Sequence, residues 1–469
     1  MGALRKNGSG CARDGRAFGR LLPAAPVSRA GLLAAALSCV LAVVACLGMP
    51  ATARADILGS DLIGATSVSD RGLTVSEVPT LDCAYGILCD ADGNVLWSRS
   101  SSSQTAMASI TKVMTAVVAL ESADVSASFT VSHAAATVGE SSAGLVEGSS
   151  MSLEDLLKAL LVHSGNDAGV AIAEGVAGSM DAFVAKMNDK AAQLGLKNTH
   201  YTNAHGLDDA EHYSTAEDIC VLSRYAMRNE TFRSIVGEPS VRVVSGDKDM
   251  TYPSSNVLVQ KWDECIGVKT GYTGKAGFCL SAAAAKDGRE LYAVVLGCSN
   301  AATRFTDCYK LLNWGFDHYR EVELASASDV LVDAPMSAYL DRTVQAGVAQ
   351  DVSAAVLDYN GDVSVDIHLR DLPDGVDTGD EVGTVTWRQG EFVVCSAPLV
   401  AKESVRSPLA PESVLTAAMR LVGFFTGDDC VAQSVAHAKA VPVTRSDNLT
   451  GRIDSQLETE VTRLAFEQA

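Results

Sequence analysis

The chain has 469 residues, of which 47% are hydrophobic and 20% are charged. This composition is typical of a folded protein with more than one domain and excludes a wholly disordered chain. Residues 1–55 contain 7 basic residues and 1 acidic residue, which leaves 30 basic and 56 acidic residues, a net charge of −26, for the remainder. A region with this much negative charge repels the phosphates of nucleic acid, and we therefore exclude nucleic acid as a partner.

The first 55 residues have the pattern of an export signal. Basic residues between positions 5 and 29 precede an apolar stretch from Ala30 to Met49, and Ala53-Arg54-Ala55 provides a small-x-small cleavage site. We therefore expect cleavage after Ala55 and an exported, extracytoplasmic protein. Two alternatives remain open: a retained membrane helix, for which the apolar stretch is just long enough, and lipidation at Cys46.

Nine cysteines lie beyond the leader, which itself holds three. An odd number spread so widely is not a compact disulfide framework. We expect them to be small buried hydrophobic groups with one or two bridges. No CxxC or HExxH motif occurs, so we predict neither a metal site nor another cofactor. The nine are Cys83, Cys89, Cys220, Cys265, Cys279, Cys298, Cys308, Cys395 and Cys430.

The elements of the first half predict an α+β fold. A Ser-rich segment over 56–80 is expected to be extended, with order beginning near Leu81. The run Cys83–Cys89, a turn at 91–94 and a strand from Val95 predict a hairpin. Apolar spacing then predicts helices from Ser109, from the cap Ser152, over 167–177, over 180–194 and over 215–228, the last capped by Ser214. Strands over 266–270, 277–284 and 291–297 and a helix at about 302–317 follow. Segregated helices and consecutive strands indicate an antiparallel sheet with helical layers.

The pattern of apolar and polar residues changes near residue 320. Alternating apolar and polar residues between Asp/Gly turns predict a small β-sandwich over 321–405. A helix follows within 406–429, and a polar tail covers 430–469. The helix has one apolar stripe, made of Val414, Ala417, Ala418, Leu421, Val422 and Phe425.

Three short motifs contain groups suited to acyl transfer. Ser109-Ile110-Thr111-Lys112 places a lysine one helical turn from a serine hydroxyl, and a desolvated amine can accept the proton of that hydroxyl. Ser164-Gly165-Asn166 lies where a helix ends, and Lys269-Thr270-Gly271 ends a strand, where Lys and Thr can hold a carboxylate. Each motif is weak alone. Ser-x-x-Lys occurs a second time, as Ser245-Gly246-Asp247-Lys248 in a predicted polar loop, and the other two motifs also suit an ordinary turn and an ordinary strand end.

Together and in this order, the motifs are the signature of penicillin-recognising serine enzymes. The chain resembles the serine D-alanyl-D-alanine carboxypeptidases, the low-molecular-mass penicillin-binding proteins of bacterial cell-wall maturation. The resemblance is close over about 80–320 and looser over 321–405. It also includes Asn203–Leu207, Arg304-Phe305 and Leu311–Phe316. It implies a penicillin-recognising serine transpeptidase/β-lactamase-like domain over 81–320, followed by a small all-β domain.

The resemblance assigns the catalytic roles by residue. Ser109 is implied to be the acylated nucleophile, Lys112 its general base and Ser164 the proton relay to the leaving D-alanine. The backbone N–H groups of Ser109 and Tyr272 are implied to form the oxyanion hole. Some family members have His at the position of Tyr272, so the pH dependence does not transfer from relatives.

The resemblance also assigns the substrate-binding residues. Asn166 is implied to hold the substrate backbone and Lys269 to supply positive potential. Thr270 and Arg304 are implied to bind the terminal carboxylate, and Gly271 allows a close approach of the backbone.

Four histidines near these motifs are assigned neither to catalysis nor to metal binding. No acid is placed to orient His163 beside Ser164, so we expect a packed or solvent-facing side chain rather than a Ser-His pair. His200, His205 and His212 lack metal spacing, and His205 is expected to brace the loop over Asn203–Leu207.

These assignments predict an exported DD-carboxypeptidase, in the cell wall or at the outer face of the cytoplasmic membrane. It would remove the terminal D-alanine from peptidoglycan pentapeptide stems, with β-lactam antibiotics as covalent inhibitors. A DD-endopeptidase that cuts cross-links on the same scaffold is the alternative, and the sequence separates the two poorly. A class A β-lactamase is disfavoured because no E-x-x-L-N segment lies between Asn166 and Lys269. A wall-binding module without activity is disfavoured by the intact motifs.

The helix over 412–425 matches the place where relatives often have an amphipathic membrane helix. Its 14 residues are too few to span a bilayer, and Arg420 is its only basic residue. We expect a weak peripheral contact that is hydrophobic rather than electrostatic, with packing on the β domain as the alternative.

Overall fold

The computed structural model describes residues 59–426 and 432–468. The predicted export signal over 1–55, with its three cysteines, lies outside these residues, and so does Cys430.

A seven-stranded antiparallel sheet forms the centre of the first domain. Its strands are β1 (Leu62–Ile63), β2 (Thr66–Ser67), β3 (Tyr85–Asp90), β4 (Val95–Arg99), β9 (Cys265–Thr273), β10 (Gly277–Lys286) and β11 (Arg289–Cys298). They lie in the order β2-β1-β4-β3-β11-β10-β9. The predicted hairpin and the three consecutive strands are confirmed.

The segment over 56–80 is not simply extended, as the sequence suggested. From residue 59 it folds onto the sheet, where β1 pairs with β4 at one edge. Asp61 forms a buried ion pair with Arg99 at 2.7 Å. Strands of two residues show no periodicity, so the sequence pattern could not reveal them.

Helices cover one face of the sheet. Ile87 and Cys89 of β3 point into this helical core, whereas Leu88 points to the opposite face, as alternation along a strand requires. The predicted cap Ser152 accepts a hydrogen bond from Asp155 N, but the helix near 215 is capped by Thr215 rather than Ser214. The helices are α1 (Lys112–Ser122), α2 (His133–Ala136), α3 (Leu153–Leu161), α4 (Asn166–Ala177), α5 (Met180–Gln193), α6 (Ala216–Ala226) and α7 (Glu230–Val236).

The opposite face of the sheet is covered by the predicted helix α9 (Thr303–His318) and by α8 (Val257–Lys261). The first domain therefore has three layers, with the sheet between two helical layers. The predicted polar loop around Ser245 is instead a hairpin of β7 (Ser240–Ser245) and β8 (Lys248–Pro253). A short pair, β5 (Ser128–Thr130) with β6 (Ser150–Ser152), completes this domain.

An all-β region follows, as predicted, with a core of its own. Its strands are β12 (Tyr319–Ala325), β13 (Val332–Pro335), β14 (Thr343–Val348), β15 (Val352–Leu357), β16 (Ser364–Leu369), β17 (Glu381–Gln389), β18 (Phe392–Ala401) and β19 (Val435–Ala436). They form the pair β12-β15 and a six-stranded sheet of order β16-β17-β18-β14-β13-β19.

The predicted apolar helix is α10 (Ala410–Thr426). The residues after it do not form a free polar tail. They add β19 to the β region and end in α11 (Ser455–Glu467), whose Val461 and Ala465 are fully buried against the first domain. This packing was not predicted, because a single apolar stripe of a few residues is a weak signal in a polar segment.

A disulfide joins Cys89 to Cys220. Of the other described cysteines, Cys395 is partly exposed and five are buried free thiols: Cys83, Cys265, Cys279, Cys298 and Cys308. The expectation of mostly buried hydrophobic thiols with one or two bridges is thus confirmed for the described residues.

None of the described helices is by itself long and apolar enough to cross a membrane; α4 and α5 reach those limits only as a pair, bent by 87°.

Candidate active site

Ser109 and Lys112 lie at the entrance to α1, in the centre of the first domain. Residues Ala108–Thr111 form a 3₁₀ turn, and the α-helix begins at Lys112. The Lys112 side chain is fully buried, and its Nζ lies 2.6 Å from Ser109 Oγ. Ala108 has a φ of +49°, a backbone conformation that is costly for a non-glycine residue and is common at functional sites.

Burial sets the protonation of Lys112. Desolvation lowers its pKa to about 7, although the charges of Asp167 and Glu140 oppose this shift. Near neutral pH a substantial fraction of the amine is therefore uncharged and able to accept the proton of Ser109.

The Ser164–Asn166 turn faces the same amine. Lys112 Nζ lies 3.4 Å from Ser164 Oγ and donates a hydrogen bond of 2.7 Å to Asn166 Oδ1. Ser164 has a φ of +72°, so the turn presents its hydroxyl from a strained backbone. Three side chains of two separate motifs thus converge on one nitrogen.

Asp167, which the sequence analysis did not single out, fixes this turn. Its carboxylate accepts hydrogen bonds from Ser142 Oγ at 2.6 Å and from the backbone N–H groups of Ala143 and Leu145. The loop that it holds brings Glu140 and Ser141 to the site. No motif in the sequence marks that loop, because its residues are placed by long-range contacts.

Lys269, Thr270 and Gly271 lie on β9, opposite the 3₁₀ turn. Lys269 Nζ donates to Thr270 O at 2.9 Å, and Thr270 Oγ1 donates to Ser255 Oγ at 2.9 Å. A Cβ on Gly271 would lie 3.0 Å from Met107 O and 3.2 Å from Ser109 N. The glycine therefore allows the close backbone approach that its position predicted.

Arg304 occupies the first turn of α9 beside this strand. Its Nη1 donates to Gly271 O at 3.1 Å, and its guanidinium lies 4.7 Å from the ring centre of Phe305. Burial lowers its pKa to about 10, so it stays charged at neutral pH. Its buried Nε has no hydrogen-bond partner among the described residues. Burial and the charges of Lys112 and Arg304 together lower the pKa of Lys269 well below its usual value.

These groups border one cleft of about 460 Å³. Of the predicted site residues, six line it, whereas Lys112, Asn166 and Lys269 are buried immediately behind its wall. Tyr272 is 55% exposed and stacks on Phe278. The residues that line the cleft are Ser109, Glu140, Ser141, His163, Ser164, Pro253, Ser255, Thr270, Gly271, Tyr272, Phe278, Arg304 and Gln468.

The histidines have packing roles. His163 stacks on Tyr252 with ring centres 3.8 Å apart, and its Nε2 lies 3.0 Å from Ser142 O, so it does not pair with Ser164. His205 accepts a hydrogen bond from Leu207 N, in agreement with its predicted role in that loop.

His212 is buried, and desolvation lowers its pKa to about 4. Its Nδ1 accepts from Thr202 N, so Nε2 carries the proton and donates to Thr111 Oγ1 at 2.7 Å. Thr111 in turn donates to Ala108 O. No local sequence pattern marks this support of the 3₁₀ turn, because Thr111 and His212 are 101 residues apart.

The arrangement combines a nucleophile, a buried amine that is partly uncharged near neutral pH, and a charged guanidinium. Residues 73–300 match the family model for D-alanyl-D-alanine carboxypeptidases, Peptidase_S11. D-alanyl-D-alanine carboxypeptidase DacF of Bacillus subtilis is 32% identical over 333 residues, which cover 68% of this chain and 85% of that protein. This chain belongs to the D-alanyl-D-alanine carboxypeptidase family. It is therefore a serine-type hydrolase, as the motifs predicted.

Other members of the family are similar over shorter lengths. DacB2 of Mycobacterium tuberculosis is 38% identical over 237 residues, which cover 49% of this chain and 81% of that protein. DacD of Escherichia coli is 35% identical over 269 residues, covering 53% of this chain and 66% of its own length.

Two solved structures share the fold. The D-alanyl-D-alanine carboxypeptidase DacD of Francisella tularensis has a TM-score of 0.57 at 25% identity and covers 70% of this chain and 95% of its own. Penicillin-binding protein 5 of Haemophilus influenzae has a TM-score of 0.54 at 27% identity. The match covers 70% of this chain and 98% of that protein's chain. The predicted fold class, a penicillin-recognising domain followed by an all-β domain, is confirmed.

Proposed function

We propose that this enzyme removes the terminal D-alanine from peptidoglycan pentapeptide stems through an acyl-enzyme on Ser109. Ser109 Oγ attacks the carbonyl carbon of the penultimate D-alanine while its proton passes to Lys112 Nζ. The proton then moves by way of Ser164 to the nitrogen of the leaving D-alanine, and the C–N bond breaks. Water hydrolyses the ester that remains and restores the Ser109 hydroxyl.

The 2.6 Å contact between Lys112 Nζ and Ser109 Oγ carries this proposal. The nitrogen is fully buried and its pKa is about 7, which suits a general base near neutral pH. We assign the oxyanion hole to the backbone N–H groups of Ser109 and Tyr272.

Recognition of the substrate carboxylate is assigned to Thr270 and Arg304. Arg304 lines the cleft, is largely buried and is charged at neutral pH, and a carboxylate in the cleft would accept a charge-assisted hydrogen bond from its guanidinium. Lys269, buried behind Thr270, is assigned to supply positive potential when it is protonated, and Asn166 is assigned to the substrate backbone. A β-lactam also presents an acyl group and a carboxylate, and we therefore propose that it acylates the same serine.

Mass spectrometry with a labelled penicillin tests the nucleophile. We expect one adduct on the Ser109 peptide, and Ser109→Ala should lose both the adduct and D-alanine release while it keeps its melting temperature. Ser245→Ala is the matched control, because Ser245 belongs to the second Ser-x-x-Lys motif. Its side chain is buried, and its hydroxyl shares a hydrogen bond of 2.7 Å with Ser149 Oγ. A covalent adduct that persists in Ser109→Ala would refute the assignment.

The alternative, a DD-endopeptidase, differs in the leaving group. Product analysis on a pentapeptide and on a cross-linked dimer, at equal enzyme concentration, separates the two activities. Faster release from the dimer than from the pentapeptide would favour the endopeptidase.

We also propose that the protein is exported and touches the membrane surface through α10. The predicted export signal over 1–55 supports export. Among the described residues nothing covers the apolar side chains of α10, with 70% of Val414, 59% of Leu421 and 77% of Phe425 exposed. This exposure disfavours the alternative in which the helix packs on the β domain, and an uncovered apolar stripe is typical of interfacial helices.

A further inference from the structure

The residues after α10 run back across the molecule toward the cleft. We call 432–468 the return segment. Its β19 pairs with β13, and Val441 forms a bridge with Val363 in the β domain. Farther on, Asn448 O lies 3.1 Å from Nε2 of His318, the last residue of α9. The segment thus leaves the β domain at the C-terminal end of α9.

From there the return segment follows α9. Asn313, in the C-terminal half of α9, donates to Arg452 O at 3.1 Å. The final helix, α11, then packs on α8 and α9, with Val461 and Ala465 fully buried and Glu460 paired to Lys261 at 3.0 Å. Its last turn is closed by a hydrogen bond from Gln468 N to Leu464 O. The contacts therefore begin at the C-terminal end of α9 and end with α11 packed on α8 and α9.

This path ends in the cleft. Gln468 lines it together with Ser109. Because α11 packs on α8, which begins two residues after Ser255, and on α9, whose first turn contains Arg304, Gln468 belongs to the side of the cleft that holds the carboxylate-binding groups. An amide there adds bulk and hydrogen-bonding capacity but no charge, so it leaves the Arg304 guanidinium available to an anion.

We propose that Gln468 is a specificity-determining residue that closes the leaving-group end of the cleft, so that a single small D-amino acid fits between Ser109 and the return segment. This inference rests on the proposed carboxypeptidase function and deepens it. The acyl half of the substrate lies on the other side of Ser109 and is unaffected. Closure behind the carboxylate would favour release of a terminal residue over cleavage of a cross-link.

Two acetylated peptides with the same acyl half, Lys-D-Ala, followed by D-Ala or by D-Phe, test the proposal. We expect Gln468→Ala to raise the ratio of kcat/KM for the D-Phe peptide to that for the D-Ala peptide by about tenfold. Gln468→Glu should raise KM for the D-Ala peptide without a matching change in kcat, because a second carboxylate would compete for Arg304. Phe466→Ala is the control, since Phe466 is 59% exposed on the same turn and does not line the cleft.

An unchanged ratio in Gln468→Ala would overturn the proposal, and so would an unchanged KM in Gln468→Glu. Penicillin acylation and the melting temperature, measured on each variant, identify any general loss of structure. If the unmodified enzyme acylates with penicillin but releases neither amino acid, the proposed function itself fails, and the role of Gln468 fails with it.

Discussion

Lys112 Nζ lies 2.6 Å from Ser109 Oγ and 2.7 Å from Asn166 Oδ1, so one buried nitrogen connects two motifs that are 54 residues apart. An ammonium ion in this position is poorly solvated, which is why burial lowers the pKa of Lys112 to about 7.

The rate of acylation by penicillin should rise with pH through about 7. Lys112 accepts a proton only when it is uncharged, and because burial lowers its pKa to about 7, the uncharged form predominates above that pH instead of only in strongly alkaline solution. Stopped-flow acylation kinetics between about pH 5 and 9 would measure this dependence. Lys112→Ala should acylate about 10² to 10⁴-fold more slowly. A flat profile across neutral pH would contradict the role of Lys112 as the base.

Arg304→Ala should weaken peptide turnover, chiefly through KM. Loss of a charged hydrogen bond to a carboxylate costs about 1.5–3 kcal/mol, or about ten- to a hundredfold in KM. We expect a milder effect on penicillin acylation. Steady-state release of D-alanine measures the first effect, and Arg370→Ala, an exposed arginine of the β domain, is the control. If KM for the peptide changed equally and negligibly in the two variants, Arg304 would have no role in binding the substrate carboxylate.

Gly206→Ala should reduce acylation by displacing the nucleophile. Gly206 has a φ of +93°, and a Cβ there would lie 2.0 Å from Ala108 O and 2.9 Å from Ser109 N. Gly361→Ala is a matched control because Gly361 also has a positive φ, +77°, but a Cβ on it would meet no atom within 4 Å. Both variants should lose about 1 kcal/mol or more of stability from backbone strain, measured by denaturant unfolding. If Gly206→Ala and Gly361→Ala lost acylation equally, the close approach of Gly206 to the backbone of Ala108 and Ser109 would not matter for the position of the nucleophile.

The protein from residue 56 onward should bind phospholipid vesicles with little dependence on salt. The exposed stripe of α10 is apolar, so we expect affinity at about 0.1 M and about 0.5 M salt to differ by less than about twofold. Replacement of Val414, Leu421 and Phe425 by Ser should release the protein, whereas Arg420→Gln should not.

These substitutions are preferable to truncation before α10, because truncation would also remove the return segment that packs on both domains. Vesicle co-sedimentation measures the binding. Absence of binding by the unmodified protein would refute the membrane contact.

The sequence by itself determined the catalytic motifs, their order and the elements that hold them. Ser152 predicts the start of α3, and the apolar spacing of α1 and the strands from β9 to β11 specify their faces. Such features are local, because helix caps and periodic apolar residues depend on neighbours within one or two turns. The family of the enzyme followed from three motifs of this local kind.

Tertiary structure decided what the local pattern left open. The β1–β2 hairpin, the β7–β8 hairpin around Ser245, the loop fixed by Asp167 and the return of Gln468 to the cleft were all absent from the sequence interpretation. Their strands are short, partly exposed or irregular, and their positions depend on partners tens to hundreds of residues away, such as Arg99 for Asp61 and Asn313 for Arg452. A side chain's contact across such a distance has no counterpart in the spacing of residues along the chain, so only the folded chain brings Gln468 to the cleft that Ser109 and Arg304 also line.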